Sequence, residues 1–193
     1  MTAEKSSYEV LSSSPAYASE RLTVRVDTLS MPDGSRAPRE VVVVDDAVAV
    51  VAIDDQQRVC LLEQYRHPFS ERVLELPAGK LDVQGESPLA AAKRELAEEA
   101  ELGSEEWTEL TCFLNSAGWT TERTHVFLAE RAFASRDAAS GFVATGEEAD
   151  LRVSMVALDE CLGMIYTRVI VDAKTIIGLL LATSRLGPVS SQS

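Results

Sequence analysis

Short runs of alternating apolar and polar positions mark the start of this 193-residue chain. Leu22, Val24 and Val26 alternate with polar neighbours, the pattern of a half-buried strand, and Val41 to Val44 predict a second. Pro32-Asp33-Gly34 supplies a turn between them. Residues 18–45 are therefore expected to form a small antiparallel β subdomain. Residues 47–53 are continuously apolar and 59–65 nearly so, with Asp54-Asp55 as the turn, so two buried strands are predicted. Val73, Leu74 and Leu76 predict a short strand ending at Pro77, and further strands fall at 109–114, 125–130 and 151–157. Helical spacing covers 87–102, 159–166 and 172–186, the last with Ile176, Ile177, Leu180 and Leu181 as its apolar face. The polar stretch 1–17 and the tail 187–193 are expected to be disordered, and 134–150, rich in Ala, Gly, Ser and acids, to be a mobile loop. Helices inserted among many strands without regular alternation predict a mixed-sheet α/β or α+β domain over 46–186.

Composition narrows the partners. Hydrophobic residues make up 46% and charged residues 25%, ordinary for a water-soluble globular chain able to bury a core without staples. The net charge of -13 repels polyanions, so no nucleic acid and no anionic membrane is expected as a partner. A small phosphorylated ligand needs only local cations and stays open. No run of about 18 apolar residues predicts a membrane span. The first residues lack a basic start followed by an apolar run, so the cytoplasm is the expected location. Cys60, Cys112 and Cys161 are too scattered for a disulfide framework or zinc site and read as small buried hydrophobes. His67 and His125 have no partners at ligand spacing and read as structural.

The helix predicted over 87–102 carries the candidate chemistry. Ser87 suits the N-cap and Pro88 the first helical position. At about 100° per residue, Leu89, Ala92, Leu96 and Ala100 share one face and Glu95, Glu98 and Glu99 the opposite one. Like charges at these spacings cost about 0.2–0.5 kcal/mol per pair. A solvated acidic face is one reading. A set of hard oxygen ligands for Mg²⁺ or Mn²⁺ is the other. Arg94 is either a surface ion pair or the group that fixes a carboxylate rotamer.

The run Gly79…Glu86…Arg94-Glu95-Leu96-Ala97-Glu98-Glu99, closed by Leu102, resembles the signature box of Nudix hydrolases. The chain departs from that pattern twice. Six residues, not five, separate Gly79 from Glu86, and Glu101 stands where the box ends in Gly. Gly103 is expected to take over the helix cap.

The resemblance implies a Nudix-like α/β/α sandwich that hydrolyses the pyrophosphate of a nucleoside diphosphate sugar. Its metal ligands would be Glu95, Glu98 and Glu99 with the carbonyl of Ala78, and Arg94 would serve the catalytic centre. Leu62-Glu63-Gln64-Tyr65-Arg66, Glu75-Leu76-Pro77-Ala78-Gly79 and Asp172-Ala173-Lys174-Thr175 resemble the ADP-ribose pyrophosphatase branch. That branch implies AMP and ribose 5-phosphate as products and a homodimer built by the N-terminal subdomain. Its substrate contacts map to Arg66, Ala78, Leu81 and Gly118, with Arg39 and Glu40 reaching the nucleoside across the dimer. Trp119 is open to stacking on substrate or to core packing. The loop acids Glu147 and, alternatively, Glu148 map to the general base. A marker proline of the branch is Ala117 here, which implies relaxed selectivity. Another nucleotide sugar, such as a GDP-sugar, and a non-catalytic ADP-ribose-binding regulator are the alternatives. The retained carboxylates favour an enzyme.

Overall fold

β4 (Ala47–Ala52) is an unbroken apolar run because both of its faces are covered. Val51 points into one core cluster, and Val48, Val50 and Ala52 into a second. The same alternation recurs in β5 (Arg58–Arg66), where Val59 and Leu61 oppose Cys60 and Leu62. It recurs again in β10 (Arg123–Glu130), where Val126 and Leu128 oppose Phe127 and Ala129. A period of two that is apolar on both phases is what a strand between two layers requires. One layer is α1 (Pro88–Ala100), through Ala91, Ala92 and Leu96. The other is α2 (Leu158–Tyr166) and α3 (Ala173–Leu186), through Leu158, Cys161, Leu179 and Ala182. The result is a mixed α/β/α sandwich.

The computed structural model describes residues 8–135 and 150–187. The described residues divide into two units, one made of those up to Asp46 with 114–123, the other of 47–113 with those from Thr124 on. In the second unit, β7 (Ala78–Lys80), β4, β10 and β9 (Glu106–Leu114) form a sheet in that order. β10 runs parallel to β4, and β7 antiparallel to it. A second sheet has the order β12 (Arg152–Ala157), β5, β6 (Glu71–Glu75), all antiparallel. A small pair joins β8 (Leu102–Gly103) to β11 (Phe133–Ala134). No helix among the described residues is long and apolar enough to cross a membrane.

In the first unit, β1 (Glu9–Ala18), β2 (Thr23–Ser30) and β3 (Arg36–Val43) form an antiparallel sheet in chain order. The segment expected to be disordered up to residue 17 is thus a strand from Glu9 onward. Every one of its residues is exposed, so backbone pairing with β2 holds it and hydropathy carries no trace of it. Residues 1–7 and 188–193 lie outside the described residues. The turn Ser116–Trp119 belongs to this unit, docked on β3 by Val42 N–H to Trp119 O at 2.7 Å and Thr121 N–H to Val42 O at 3.0 Å.

Three local expectations are corrected. Gly103 does not cap α1: Glu101 itself takes the left-handed conformation, φ 52°, and its N–H bonds the carbonyls of Ala97 and Leu96. Leu89 is exposed, and the buried face of α1 runs through Ala91, Ala92, Leu96 and Ala97. The buried face of α3 is Thr175, Gly178, Leu179 and Ala182, with Leu180 exposed. A small-residue stripe brings α3 close to the sheet: a Cβ on Gly178 would lie 2.8 Å from Leu76 Cδ1 and 3.0 Å from Val51 Cγ2.

Candidate active site

The site forms where β7 meets α1. Ser87 accepts a hydrogen bond from Ala90 N–H at 3.2 Å and starts the helix about two turns before the carboxylates. β7, paired to β4 with Ala78 opposite Ala49, lies against the acidic face of that helix. Ala78 N–H donates to Glu99 Oε2 at 2.8 Å. A Cβ built on Gly79 would fall 1.9 Å from Glu95 Cδ and 2.0 Å from Glu95 Oε1. Only a residue without a side chain leaves Glu95 its place.

Arg94 organises the rest. Its Nε and Nη2 fork onto Glu86 at 3.1 and 2.9 Å. Nη1 reaches Glu95 Oε1 at 2.7 Å and Glu98 Oε2 at 3.2 Å. The hydrogen bonds that Arg94 donates to Glu86 raise the guanidinium pKa far above its ordinary value. Burial raises the Glu95 carboxyl, Arg94 opposes this, and the neighbouring Glu98 and Asp82 add to the rise. Glu99 is pushed up to about 8, first by burial, against the Ala78 N–H that stabilises its anion, and with the charge of Glu95 adding to it. Among the described residues, no three His, Cys, Asp or Glu side chains are arranged to hold a metal ion as the side chains stand. The carboxylates are instead divided between Arg94 and Ala78 N–H.

A second network lies beside Glu99. Glu75 is 2% exposed and receives Arg66 Nε at 2.6 Å and Nη2 at 2.7 Å. Lys174 Nζ donates to the same carboxylate and to Asp172 Oδ1, the latter at 3.0 Å. Asp172 also caps α3, accepting from Thr175 N–H at 2.9 Å and from its hydroxyl at 2.6 Å. Thr175 Oγ1 in turn accepts from Leu76 N–H at 3.0 Å. Burial pushes the Glu75 carboxyl up, but the Arg66 hydrogen bonds and the Lys174 charge outweigh it and hold the group below its ordinary value. Arg66 is thereby fixed with its Nη1 turned to neither Glu75 oxygen, and its guanidinium pKa is raised first by the Glu75 hydrogen bonds and, more weakly, by the charges of Asp172 and Glu99. The stretches 62–66, 75–79 and 172–175 contained this network, but no spacing rule joins Glu75 to Lys174, 99 positions apart.

The remaining sequence-predicted residues fall as follows. Leu81 is half-buried and packs against the α1 core cluster. Arg39 and Glu40 are exposed on β3, with Arg39 Nη1 donating to Pro38 O at 2.7 Å. Gly118 has open space where a Cβ would stand. Trp119 is 56% exposed, which removes core packing from its two readings. Glu147 and Glu148 lie outside the described residues. Cys112 is exposed, which corrects its reading as a buried hydrophobe; Cys60 and Cys161 are buried.

The NUDIX domain family matches residues 44–175. The ADP-ribose pyrophosphatase of Bacillus subtilis (strain 168) is 33% identical over 82% of this chain and 83% of its own length. That of Mycobacterium tuberculosis (strain ATCC 25618 / H37Rv) is 35% identical over 90% and 82%. The methanol dehydrogenase activator of Bacillus methanolicus is 35% identical over 81% and 82%. The fold is also that of an ADP compounds hydrolase of known crystal structure, with a TM-score of 0.82 and 22% identity over 95% of this chain and 97% of that one. The chain belongs to the Nudix hydrolase family. Members of that family generally need divalent metal ions.

Proposed function

We propose that this protein hydrolyses ADP-ribose to AMP and ribose 5-phosphate, using Mg²⁺ or Mn²⁺ held by Glu95, Glu98, Glu99 and the carbonyl of Ala78. The main support is the close approach of Gly79 to Glu95 beside the Ala78–Glu99 hydrogen bond. A backbone stripped of its side chain is pressed against carboxylates that repel one another and resist ionisation. Hard oxygen donors crowded this way fit a divalent cation. A bound divalent ion would screen the pyrophosphate, activate water and stabilise the leaving phosphate.

The chain's own residues do the positioning. Arg94, anchored by Glu86, limits where Glu95 and Glu98 can point. Arg66, held by Glu75 and Lys174, offers its remaining Nη1 to a phosphate or to the terminal ribose. Glu147, or Glu148 in its place, takes the proton from the attacking water, an assignment that rests on sequence position. On sequence resemblance alone, Arg39, Glu40, Gly118 and Trp119 are assigned to the nucleoside, with Arg39 and Glu40 supplied by the second subunit of a homodimer. Support for that dimer comes from β1, which leaves Val10, Leu11 and Tyr17 exposed on a small sheet. A cytoplasmic setting belongs to the same proposal. A monomer mass by light scattering at working concentration contradicts the dimer.

Ala117 occupies the second position of the turn closed by Trp119 N–H to Ser116 O at 3.1 Å, where a proline would fit. The weaker restraint supports broader selectivity. kcat/KM across a panel of ADP-ribose, other ADP-sugars and GDP-mannose with Mg²⁺ tests the substrate. ADP-ribose is expected among the best. If it ranks among the poorest while a GDP-sugar is cleaved well, the substrate proposal fails and the GDP-sugar alternative takes its place.

A further inference from the structure

β9 is the edge strand of its four-stranded sheet, and it carries chemistry that pyrophosphate hydrolysis does not use. Cys112 on β9 is exposed, and its Sγ lies 3.8 Å from Nε2 of His125 on the neighbouring β10. The other ring nitrogen, His125 Nδ1, lies 2.8 Å from Glu109 Oε1, again on β9. His125 is mostly covered, its side chain 21% exposed, so its ring is held between the two partners.

The order of these contacts fixes the proton inventory. An ionised carboxylate only accepts hydrogen bonds, so a neutral His125 ring facing Glu109 carries its proton on Nδ1. Nε2 is then the lone-pair nitrogen, and it is the one that faces the thiol. The thiol S–H donates to Nε2, and on transfer the imidazolium is stabilised by Glu109. Nucleophile, base and orienting carboxylate thus stand in the sequence that activates a cysteine elsewhere in protein chemistry.

We propose that Cys112, His125 and Glu109 form a reactive-thiol site that takes a low-molecular-weight disulfide. The Cys112 proton moves to His125 Nε2, and the thiolate attacks one sulfur of the disulfide in line with the S–S bond. A new S–S bond to Cys112 forms as the old one breaks, and the second sulfur leaves as a thiolate that takes up the proton held by His125. The balance is one protein thiol and one disulfide giving one mixed disulfide and one small thiol. The incoming disulfide is the oxidant, and no other co-reactant is needed. The other two cysteines cannot resolve the product internally. Cys60 and Cys161 are buried, and burial pushes their thiols up to about 12 and about 11. The modification is therefore a stable cap, removed by an external thiol.

The same contrast makes the experiment clean, because Cys112 alone among the three cysteines is exposed. The native protein is treated with oxidised glutathione at pH 7, and adduct formation is followed by intact mass and mapped by peptide digestion. One glutathionyl group on Cys112 is expected, and none on Cys112→Ser. A free thiol of pKa about 8.5 is about 3% ionised at pH 7, so complete ionisation offers at most about 30-fold in thiolate. His125→Asn is accordingly expected to slow the reaction about tenfold, with a smaller loss in Glu109→Gln, which keeps an acceptor but not the charge. Iodoacetamide, which also needs the thiolate, should rank the three proteins in the same order. Circular dichroism and melting curves show whether each variant keeps its fold. If His125→Asn unfolds, Glu109→Gln carries the comparison. Rates in the folded variants within twofold of wild type would show an exposed cysteine with no activating site and overturn the proposal, as would adducts on Cys60 or Cys161 forming as fast.

Discussion

At the scale of single residues, the account turns on how close β7 comes to α1. Gly79→Ala places a methyl group on the Glu95 carboxylate. The atom it meets is the free end of a flexible side chain, so Glu95 swings away at the cost of a strained rotamer, about 0.5–1.5 kcal/mol. Activity should fall much further, about 100-fold, as it does when a reacting group is displaced by about 1 Å. A melting curve beside a rate assay checks this pairing, and unchanged turnover would show that Glu95 need not sit where it does. The pH dependence of stability tests the same cluster. Glu99 ionises near its ordinary 4.5 when unfolded and near 8 when folded and metal-free. Between those values the folded state holds the extra proton, so metal-free stability falls as pH rises from about 4.5 through about 8. Glu99→Gln removes this slope and should melt about 2–4 °C higher at pH 8, the shift that about 1 kcal/mol gives in a chain of this size. A variant melting lower than wild type at pH 8 without metal would contradict the buried-charge reading. What could be read in the chain at this scale was what one helix carries: Glu95, Glu98, Glu99 and Arg94 lie within two turns and 3.6-residue periodicity groups them. Glu75 with Lys174, and His125 with Cys112, meet across strands or between distant segments, where no periodicity applies.

At the scale of elements, strands covered on both faces were legible from their apolar runs, unbroken along β4 and over Val59–Leu62 of β5. β1 was not, since an exposed edge strand held by its backbone has no hydropathic signature. The end of α1 was misjudged for a different reason. Gly usually supplies the left-handed cap, yet Glu101 adopts φ 52° while Gly103 pairs in β8. Tertiary pairing of β8 with β11 fixes where the helix must stop, and the residue at that point takes the conformation. The face of α3 was misjudged because the largest apolar residues were taken as the buried ones. Close approach instead selects Gly178 and Ala182 for the sheet side. Gly178→Ala should therefore overpack against Leu76 and Val51 and lower stability by about 1–3 kcal/mol. Chemical denaturation checks this, and a neutral or stabilising result would mean that α3 can shift outward freely.

At the scale of the whole molecule, a net charge of -13 and a phosphate-bearing substrate are compatible only if cations are local. Arg66 and Lys174 stand close enough to Glu99 to act on its charge, and in the function proposed above they and a divalent ion supply that local neutralisation. The segment 114–123 belongs with the N-terminal sheet rather than with the strands it joins, a grouping that chain order conceals. The central claim is that the acidic face of α1 is the pyrophosphatase centre, and product analysis tests it most directly. Wild type and Glu98→Gln are incubated side by side with ADP-ribose and Mg²⁺, and products are separated by chromatography. Wild type should yield AMP and ribose 5-phosphate in equal amounts. The folded variant should be slower by at least about 100-fold, since metal polarisation supplies several kcal/mol and about 1.36 kcal/mol is tenfold. Equal product formation by the two proteins, or none by wild type with either Mg²⁺ or Mn²⁺, would contradict the account.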